Sequence, residues 1–327
     1  MKDGELMGYV VGIDGGGTKT IAAIASEDGK ILAKAAAGPV NPNVVQKQEL
    51  FQTLSWLMQD LAKQSGIGLE QITSLFAGIS GAGNDRAVRM LTKLLHQLVH
   101  RDSKVKVEPD TVNALYSGTY GGPGIVQISG TGSITFGIND EGKRDRTGGW
   151  GYLFGDEGSG YDIGREGMIT ALKAFDGRGR DTMLLDMVRD HFQIKSPYDL
   201  IQHIYASRSP KGEISPVTRL VFSAYKHGDQ AATDILTKAV QEMSCSIRTL
   251  KFKLFSPEQS VSTILCGGVF TDKEILPALL QAELRDDGQL RIITPEMNPA
   301  GGSIIGAFLM ENRKPDESII QQIISTC

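Results

Sequence analysis

Short apolar runs that end in glycine recur along the chain, and each is typical of a buried strand that leads into a tight turn. The first run covers residues 9–13 and precedes three consecutive glycines. Apolar residues at 21–25, a polar turn and another apolar pair extend it into strand, glycine turn, strand, turn, strand. Residues 124–142 repeat this order. The repetition predicts a duplicated domain in which each half carries one glycine turn.

Apolar residues at helical spacing are found in the segments between these strands. Leu50, Leu54 and Leu61 lie on one helical face and predict a helix over roughly residues 46–64. Residues 161–255 are predicted to be mainly helical, with breaks at glycine and proline. Strands that alternate with helices in this way predict an α/β fold.

Composition excludes several classes of protein. The chain has 327 residues, enough for one large or two ordinary domains, and a hydrophobic fraction of 40% suits a globular core. A net charge of −4 argues against nucleic acid or an anionic membrane as a partner. No apolar run is long enough to span a bilayer, and Met1 to Gly8 lack the apolar stretch of a signal peptide.

The cysteines and histidines predict neither a disulfide framework nor a metal centre. Cys245, Cys266 and Cys327 are far apart and form no C-x-x-C pair. They are expected to be buried thiols in a reducing cytoplasm. The five histidines are scattered and lack the spacing of metal ligands.

The first glycine turn has the composition of a phosphate site. Gly15, Gly16 and Gly17 let backbone N–H groups approach an anion because no Cβ stands in the way. The order of residues after Gly17 differs from a P-loop, and a strand follows where a dinucleotide fingerprint needs a helix. The alternative is a glycine-rich hairpin without a ligand. The second glycine turn at 130–132 argues against this alternative, because it repeats the same plan.

Oxygen-bearing side chains accompany these turns. Thr18 and Thr20 add hydroxyl donors to the first turn, and Thr131 lies within the second. Asp14 ends the first strand and is suited to hold Mg²⁺ through water, since this ion prefers oxygen ligands and keeps much of its hydration.

Asp110 ends a predicted strand that starts at Val105. Ligands gather outside the carboxyl ends of strands in open α/β sheets, so Asp110 is a candidate site carboxylate. An N-cap for the helix expected from Thr111 is the alternative. Asn41, in a loop with two prolines, is as suited to form a turn as to bind a ligand.

The segment 148–160 has too many glycines for the interior of a strand or helix. It brings together Trp150, Asp156 and Glu157. Adjacent carboxylates beside an aromatic ring suit a polyol site, where the carboxylates accept hydroxyl hydrogen bonds and the ring covers an apolar sugar face. A surface turn with a partly buried Trp is the alternative.

A further strand-to-glycine turn covers residues 261–270, with an apparent helix after it. A nucleotide fits across the backbone of Gly267 and Gly268 in such a turn. A tight turn between strand and helix, without a ligand, is the alternative.

Together these motifs resemble those of the actin-like ATPase superfamily of sugar kinases. The closest likeness is to N-acetylglucosamine kinases and the related BadF/BadG/BcrA/BcrD ATPase family. Residues 12–20 are similar to the first phosphate motif, 128–133 to the second and 265–270 to the adenosine motif. Residues 148–159 are similar to the sugar-site motif, which is the most specific of the four.

The resemblance implies an α/β fold of two actin-like (ribonuclease H-like) domains. Each has a duplicated strand–glycine turn–strand core, and a cleft lies between the domains. Residues 1–117, completed by the C-terminal helix at about 303–327, are expected to form the first domain. Residues 118–302 are expected to form the second.

The resemblance also implies transfer of phosphate from ATP, with Mg²⁺, to the 6-hydroxyl of an amino sugar. N-acetylglucosamine is the first choice of substrate, and N-acetylmuramate, glucosamine or another hexose stays open. Asp110 would be the catalytic base and Asp14 the residue at the metal. The family has Asn-Asp-Ala or Thr-Asp-Ala at the base, whereas this chain has Pro109-Asp110-Thr111. A homodimer is also implied.

Two sets of ligand-binding residues follow from the resemblance. The ATP and phosphate positions are Gly15, Gly16, Gly17, Thr18, Lys19, Thr20, Gly130, Thr131, Gly132, Gly267, Gly268 and Val269. The sugar positions are Asn41, Asp110, Thr131, Gly149, Trp150, Gly151, Asp156 and Glu157.

Two functions of other classes stay open. One is an electron-transfer ATPase that holds an iron–sulfur cluster through cysteines. The positions of Cys245 in a predicted helix and Cys266 in a predicted buried strand argue against it. The other is a non-catalytic sugar or nucleotide sensor. The presence of both glycine turns, Asp14 and Asp110 argues against a sensor that has lost its catalytic residues.

Overall fold

The computed structural model describes residues 8–327. Its strands are β1 (Tyr9–Gly15), β2 (Thr20–Ala25), β3 (Ile31–Ala37), β4 (Ile72–Ile79), β5 (Lys104–Glu108), β6 (Gly124–Ser129), β7 (Ser133–Ile138), β8 (Arg144–Gly148), β9 (Val261–Cys266) and β10 (Leu290–Ile293). Its helices are α1 (Lys47–Ser65), α2 (Asp85–His96), α3 (Asp110–Thr119), α4 (Gly160–Phe175), α5 (Leu184–Phe192), α6 (Tyr198–Ala206), α7 (Pro210–Ile214), α8 (Thr218–Lys226), α9 (Gln230–Leu254), α10 (Leu276–Glu283), α11 (Pro299–Met310) and α12 (Glu317–Thr326). Within this range, no helix combines the length and apolarity that a membrane crossing requires.

The chain divides into two compact units. The first contains the residues up to Gly122 together with Pro295–Cys327, and the second contains Pro123–Thr294. The second unit is therefore continuous in sequence, and the first is closed by the end of the chain.

The first unit is built on a five-stranded sheet in the order β3-β2-β1-β4-β5. β2 runs antiparallel to both β1 and β3, and β4 and β5 run parallel to β1. Val11 and Ile13 of β1 pack in one apolar cluster with Leu50 and Leu54 of α1. Because side chains alternate along a strand, Gly12 between them faces the other side of the sheet.

Helix α11 covers that other side at very short range. A Cβ on Gly12 would lie 2.7 Å from the backbone nitrogen of Ile304, and one on Gly302 would lie 2.0 Å from the carbonyl oxygen of Asn113 in α3. Nine consecutive residues of α11, from Ala300 to Phe308, are buried. Glycine is therefore required on both surfaces for sheet, α11 and α3 to pack this closely.

The second unit repeats the plan of the first. Its five-stranded sheet has the order β10-β9-β6-β7-β8, with β7 and β8 antiparallel and β9 and β10 parallel. Ile125 of β6 packs with Leu250 and Leu254 of α9, the longest of the helices described. The duplication predicted from the apolar pattern is confirmed, as are the α/β fold and the helical character of residues 161–255.

Two local predictions shift in the structure. The helix expected from Thr111 begins one residue earlier, at Asp110, with Pro109 in the capping position. The segment after Gly267 is a short 3₁₀ turn at Gly268–Phe270, and the regular helix α10 begins only at Leu276. Val269 and Phe270 are buried, so the 3₁₀ turn places these side chains in the core before the helix starts.

Candidate active site

The parallel strands of the first unit bring three polar side chains to one edge of its sheet. β1, β4 and β5 run in the same direction, so their carboxyl ends lie side by side. Asp14 is at the end of β1, Ser80 follows β4 and Asp110 follows β5. This edge is where open α/β sheets bind ligands.

Asp110 is the first residue of α3 and is only partly exposed. Its carboxylate accepts hydrogen bonds from the hydroxyl of Ser80 and from the backbone N–H groups of Asp110 and Thr111, all of which lower its pKa. Burial outweighs them and raises the pKa to about 6. The bonds to the first helical N–H groups resemble those of a capping residue, although the helix has already begun at Asp110.

The pKa of Asp14 is raised further, to about 7. Burial is the main cause and the negative charge of Asp110 is the second, while a hydrogen bond from Asn113 opposes both. Nδ2 of Asn113 lies 2.8 Å from Oδ1 of Asp14 and also donates to the carbonyl oxygen of Gly78. The two carboxylates are therefore close enough to interact electrostatically.

Asn41 joins the same group through Ser80. Nδ2 of Asn41 donates to Oγ of Ser80 at 3.4 Å, and Ser80 in turn bonds Asp110. Sequence reasoning missed Ser80 and Asn113. The signals available were the glycines that follow Ser80, as in the other strand–glycine turns, and the position of Asn113 three residues after Asp110.

The first glycine turn leaves most of its predicted phosphate residues accessible. The N–H of Gly16 donates to the carbonyl oxygen of Lys19 at 2.9 Å and closes the turn. Gly17, Thr18 and Lys19 are exposed, whereas Gly15 is buried at the end of β1. Thr20 is fully buried, and its hydroxyl donates to the carbonyl oxygen of Gly38 at 2.7 Å. The hydroxyl of Thr20 thus already has a partner within the fold.

In the second unit, the glycine turn after β6 is tied to the loop that precedes α4. The N–H of Gly160 donates to the carbonyl oxygen of Gly130 at 2.8 Å, and Oγ of Ser129 donates to that of Gly158 at 2.5 Å. The N–H of Gly130 closes the turn on the carbonyl oxygen of Gly132 at 2.9 Å. Thr131, at the centre of the turn, is partly exposed.

The turn after β9 lies against the same backbone. A Cβ on Gly267 would come 2.3 Å from the carbonyl oxygen of Ser129, and Gly267 has a φ of +109°, in the region that favours glycine. Gly267 and Gly268 are exposed, and the side chain of Val269 is buried in the core. Three of the four motifs predicted from sequence thus meet within this unit.

The loop between β8 and α4, residues 149–159, presents an aromatic rim. Trp150 is exposed, and the guanidinium of Arg146 lies 4.5 Å from the centre of its ring. Gly149 and Gly151, on either side of the ring, both have positive φ. The two adjacent acids behave differently, since Glu157 is exposed and Asp156 is buried. Asp156 pairs with Lys211 of α7 at 3.0 Å.

The cysteines occupy separate elements. The prediction of buried thiols is wrong for Cys245, which is exposed on α9. Cys266 is buried at the end of β9, and Cys327, which follows α12, is partly exposed. Over residues 8–327, no group of three or more His, Cys, Asp or Glu side chains is arranged to hold a metal ion.

Comparisons with known proteins agree on one family. A protein of Clostridium acetobutylicum named N-acetylmuramic acid/N-acetylglucosamine kinase is 37% identical over 300 residues, which cover 91% of this chain and 98% of the relative. A protein of Dictyostelium discoideum named N-acetyl-D-glucosamine kinase is 28% identical over 91% of this chain and 97% of its own.

A solved structure shares the fold over nearly its whole length. It is a candidate N-acetylglucosamine kinase from Chromobacterium violaceum, with a TM-score of 0.75 and 24% identity, covering 92% of this chain and 99% of that one. The model of the BadF/BadG/BcrA/BcrD ATPase family matches residues 11–310. This chain is a member of the BadF/BadG/BcrA/BcrD ATPase family.

Proposed function

We propose that this protein is an ATP-dependent kinase that phosphorylates the 6-hydroxyl of an amino sugar. N-acetylglucosamine is the first candidate and N-acetylmuramate the second. The observation that carries the proposal is the group formed by Asp110, Ser80, Asn41 and Asp14 at the carboxyl edge of the first sheet. The names of the relatives at 37% and 28% identity support the choice of an amino sugar.

Asp110 is proposed as the general base that accepts the proton of the sugar hydroxyl. A base works best with a pKa near the working pH, and burial raises the pKa of Asp110 to about 6. At neutral pH the carboxylate is then mostly ionised yet more basic than an ordinary aspartate. Ser80 and the first N–H groups of α3 hold it in one orientation.

Asp14 is proposed to hold Mg²⁺ through water. Burial and, second, the negative charge of Asp110 raise the pKa of Asp14 to about 7, so the free protein disfavours the ionised form, and a cation would relieve that cost. Asn113 fixes one oxygen of Asp14 and leaves the other for the hydrated ion. When bound with ATP, the ion would neutralise charge on the phosphate oxygens.

The glycine turns and the aromatic loop are proposed to bind the two substrates. Backbone N–H groups and hydroxyls at 15–18 and 130–132 would receive the phosphates, and the backbone at 267–269 would receive the adenosine. Asn41, Thr131, Trp150, Asp156 and Glu157 would bind the sugar. Buried Asp156 suits a fixed hydrogen-bond acceptor for a sugar hydroxyl, and exposed Trp150 suits contact with an apolar sugar face.

Location and assembly are separate proposals. The exposed thiol of Cys245 and the separate positions of all three cysteines suit a reducing cytoplasm. A homodimer is proposed because two-fold dimers are the commonest soluble homo-oligomers. Light scattering on the purified protein measures the mass in solution, and the mass of one chain would reject the homodimer.

The test is ADP release from Mg-ATP by the purified protein with N-acetylglucosamine, N-acetylmuramate, glucosamine, N-acetylmannosamine or glucose. Release that depends on an amino sugar supports the kinase and identifies its substrate. Sugar binding without release would favour a sensor. ATP hydrolysis that ignores every sugar would reject the sugar site and favour an ATPase of another function.

A further inference from the structure

A single lysine contacts two residues of the aromatic loop in the second unit. Nζ of Lys211 lies 3.0 Å from Oδ2 of Asp156 and 5.2 Å from the centre of the Tyr152 ring. The Asp156 side chain is 6% exposed and the Lys211 side chain 28% exposed. The pair is therefore a charge-assisted hydrogen bond that is largely removed from water.

The backbone at Asp156 is held in an unusual conformation. Its φ is +63°, in the left-handed region that non-glycine residues rarely adopt. A Cβ on Gly132 would lie 2.9 Å from Oδ2 of Asp156, so the carboxylate sits directly against the second glycine turn. A small change in the orientation of Asp156 would therefore move the acceptor that faces this turn.

Lys211 is itself anchored by the short helix α7. Oγ of Ser209 accepts a hydrogen bond from the N–H of Gly212 at 3.3 Å, and the side chain of Ile214 is buried in the main core of the unit. On the loop side, the Tyr152 ring packs edge-on against Tyr161 of α4, with 5.2 Å between ring centres. The cation thus connects two supports that are fixed independently.

We infer that Lys211 is a positioning residue for the sugar site, which acts by holding the Asp156 carboxylate and the Tyr152 ring in place. This inference rests on the proposed function. Lys211 lies 55 positions after Asp156, outside every motif found in the sequence. Removal of one partner from a buried ion pair leaves the other charge uncompensated, so loss of the lysine releases Asp156 from its orientation.

The test compares K211M and K211R with wild type in steady-state kinetics on both substrates. K211M should raise KM for the sugar by about tenfold or more, the usual scale for losing one partner of a buried charge pair. KM for ATP should change by less than about twofold, because the sugar loop alone is released. K211R should recover most of the loss, since arginine can still bind the carboxylate.

A matched control is K253M. Lys253 pairs with Asp145 at 3.2 Å in the same unit, but both side chains are about 40% exposed, at 44% and 38%. Exposed pairs contribute little, so K253M should behave as wild type. A double variant, K211M with D156N, should lose no more than D156N alone if the lysine acts through Asp156.

Three results would overturn the inference. One is an unchanged sugar KM in K211M. Another is an equal rise in KM for sugar and ATP together with a lower melting temperature, which would assign a structural role. The third is a much larger loss with N-acetylmuramate than with N-acetylglucosamine, which would mean that Lys211 contacts the lactyl carboxylate directly.

A wild-type protein without sugar-dependent ADP release would reject the proposed function as well, whereas an active wild type with an unaffected K211M rejects this inference alone.

Discussion

The two five-stranded sheets have the same strand order, yet the side chains near them differ in chemistry. At the carboxyl edge of the first sheet, burial and then the negative charge of Asp110 raise the pKa of Asp14. In the second unit, Arg146 and Lys211 each lie over an aromatic ring. Duplication has therefore kept the glycine turn and the strand order, while the residues just beyond the strands have diverged in chemistry.

The helices that cover the two sheets differ as well. Helix α11 is buried almost throughout and packs against β1 at backbone contact distance. Helix α9 is amphipathic, with exposed positions along its whole length, and meets its sheet through ordinary apolar side chains. The contact of α11 with the first sheet should therefore tolerate less change than the contact of α9 with the second.

The largest effect is expected from D110N, which tests whether the acidic edge performs the chemistry. Asparagine keeps the shape but cannot accept the proton, so turnover should fall by roughly 10²–10⁴. ADP release with saturating sugar measures the rate, and calorimetry should find nucleotide binding nearly unchanged. An Asn variant with the wild-type rate would reduce Asp110 to a helix-terminus residue.

The next effect concerns the close packing of α11 and is tested by G12A. The new methyl group would meet the backbone of α11 at 2.7 Å, and overpacking of this kind costs about 1–3 kcal/mol. G83A is the control, because a Cβ on Gly83 meets nothing within 4 Å. Urea unfolding at equilibrium measures both. Equal stability of the two variants would mean that α11 can move to accommodate the methyl group. It would then pack no more tightly than α9.

The smallest effect is pH-dependent and is tested by D14N. The carboxyl has an ordinary pKa of 3.8 and a pKa of about 7 in the folded protein, so the folded state binds the proton more tightly. The contribution of Asp14 to stability should therefore fall as pH rises from about 4 to about 7. D14N removes this loss and should melt higher than wild type at pH 8, with the difference vanishing near pH 4.

Magnesium ions sharpen the same experiment. Mg²⁺ should raise the melting temperature of wild type at pH 8, because the ion compensates the charge of Asp14, and should leave D14N unchanged. Scanning fluorimetry with and without MgCl₂ measures both variants. An equal Mg²⁺ response in the two proteins would remove Asp14 from the metal proposal.

Local patterns were sufficient to predict much of this fold. The apolar runs with glycine turns at 9–25 and 124–142 gave both antiparallel hairpins, and the leucine spacing gave α1 within a residue. These features depend on neighbours close in sequence. The start of α3 at Asp110 differs from the prediction by one residue. The 3₁₀ turn at 268–270 was not predicted, because it depends on the burial of Val269 and Phe270 in the core.

The site was less accessible to sequence reasoning. Ser80, Asn113 and Lys211 have no motif of their own and matter only through what they contact. The raised pKa of Asp14 results from burial and from Asp110, which lies 96 positions away and is brought near by the parallel alignment of β1 and β5 with β4. Tertiary proximity of this kind has no signature in a single sequence.

The cover of the first sheet by α11 also sets an order of events during synthesis. β1 to β5 leave the ribosome early, but the helix that shields one face of their sheet is made only after the whole of Pro123–Thr294. The second unit, continuous in sequence, can complete its own core while the first still exposes an apolar surface. A chain interrupted before Pro299 would hold that surface open permanently, which makes truncated products prone to aggregate and to be bound by chaperones.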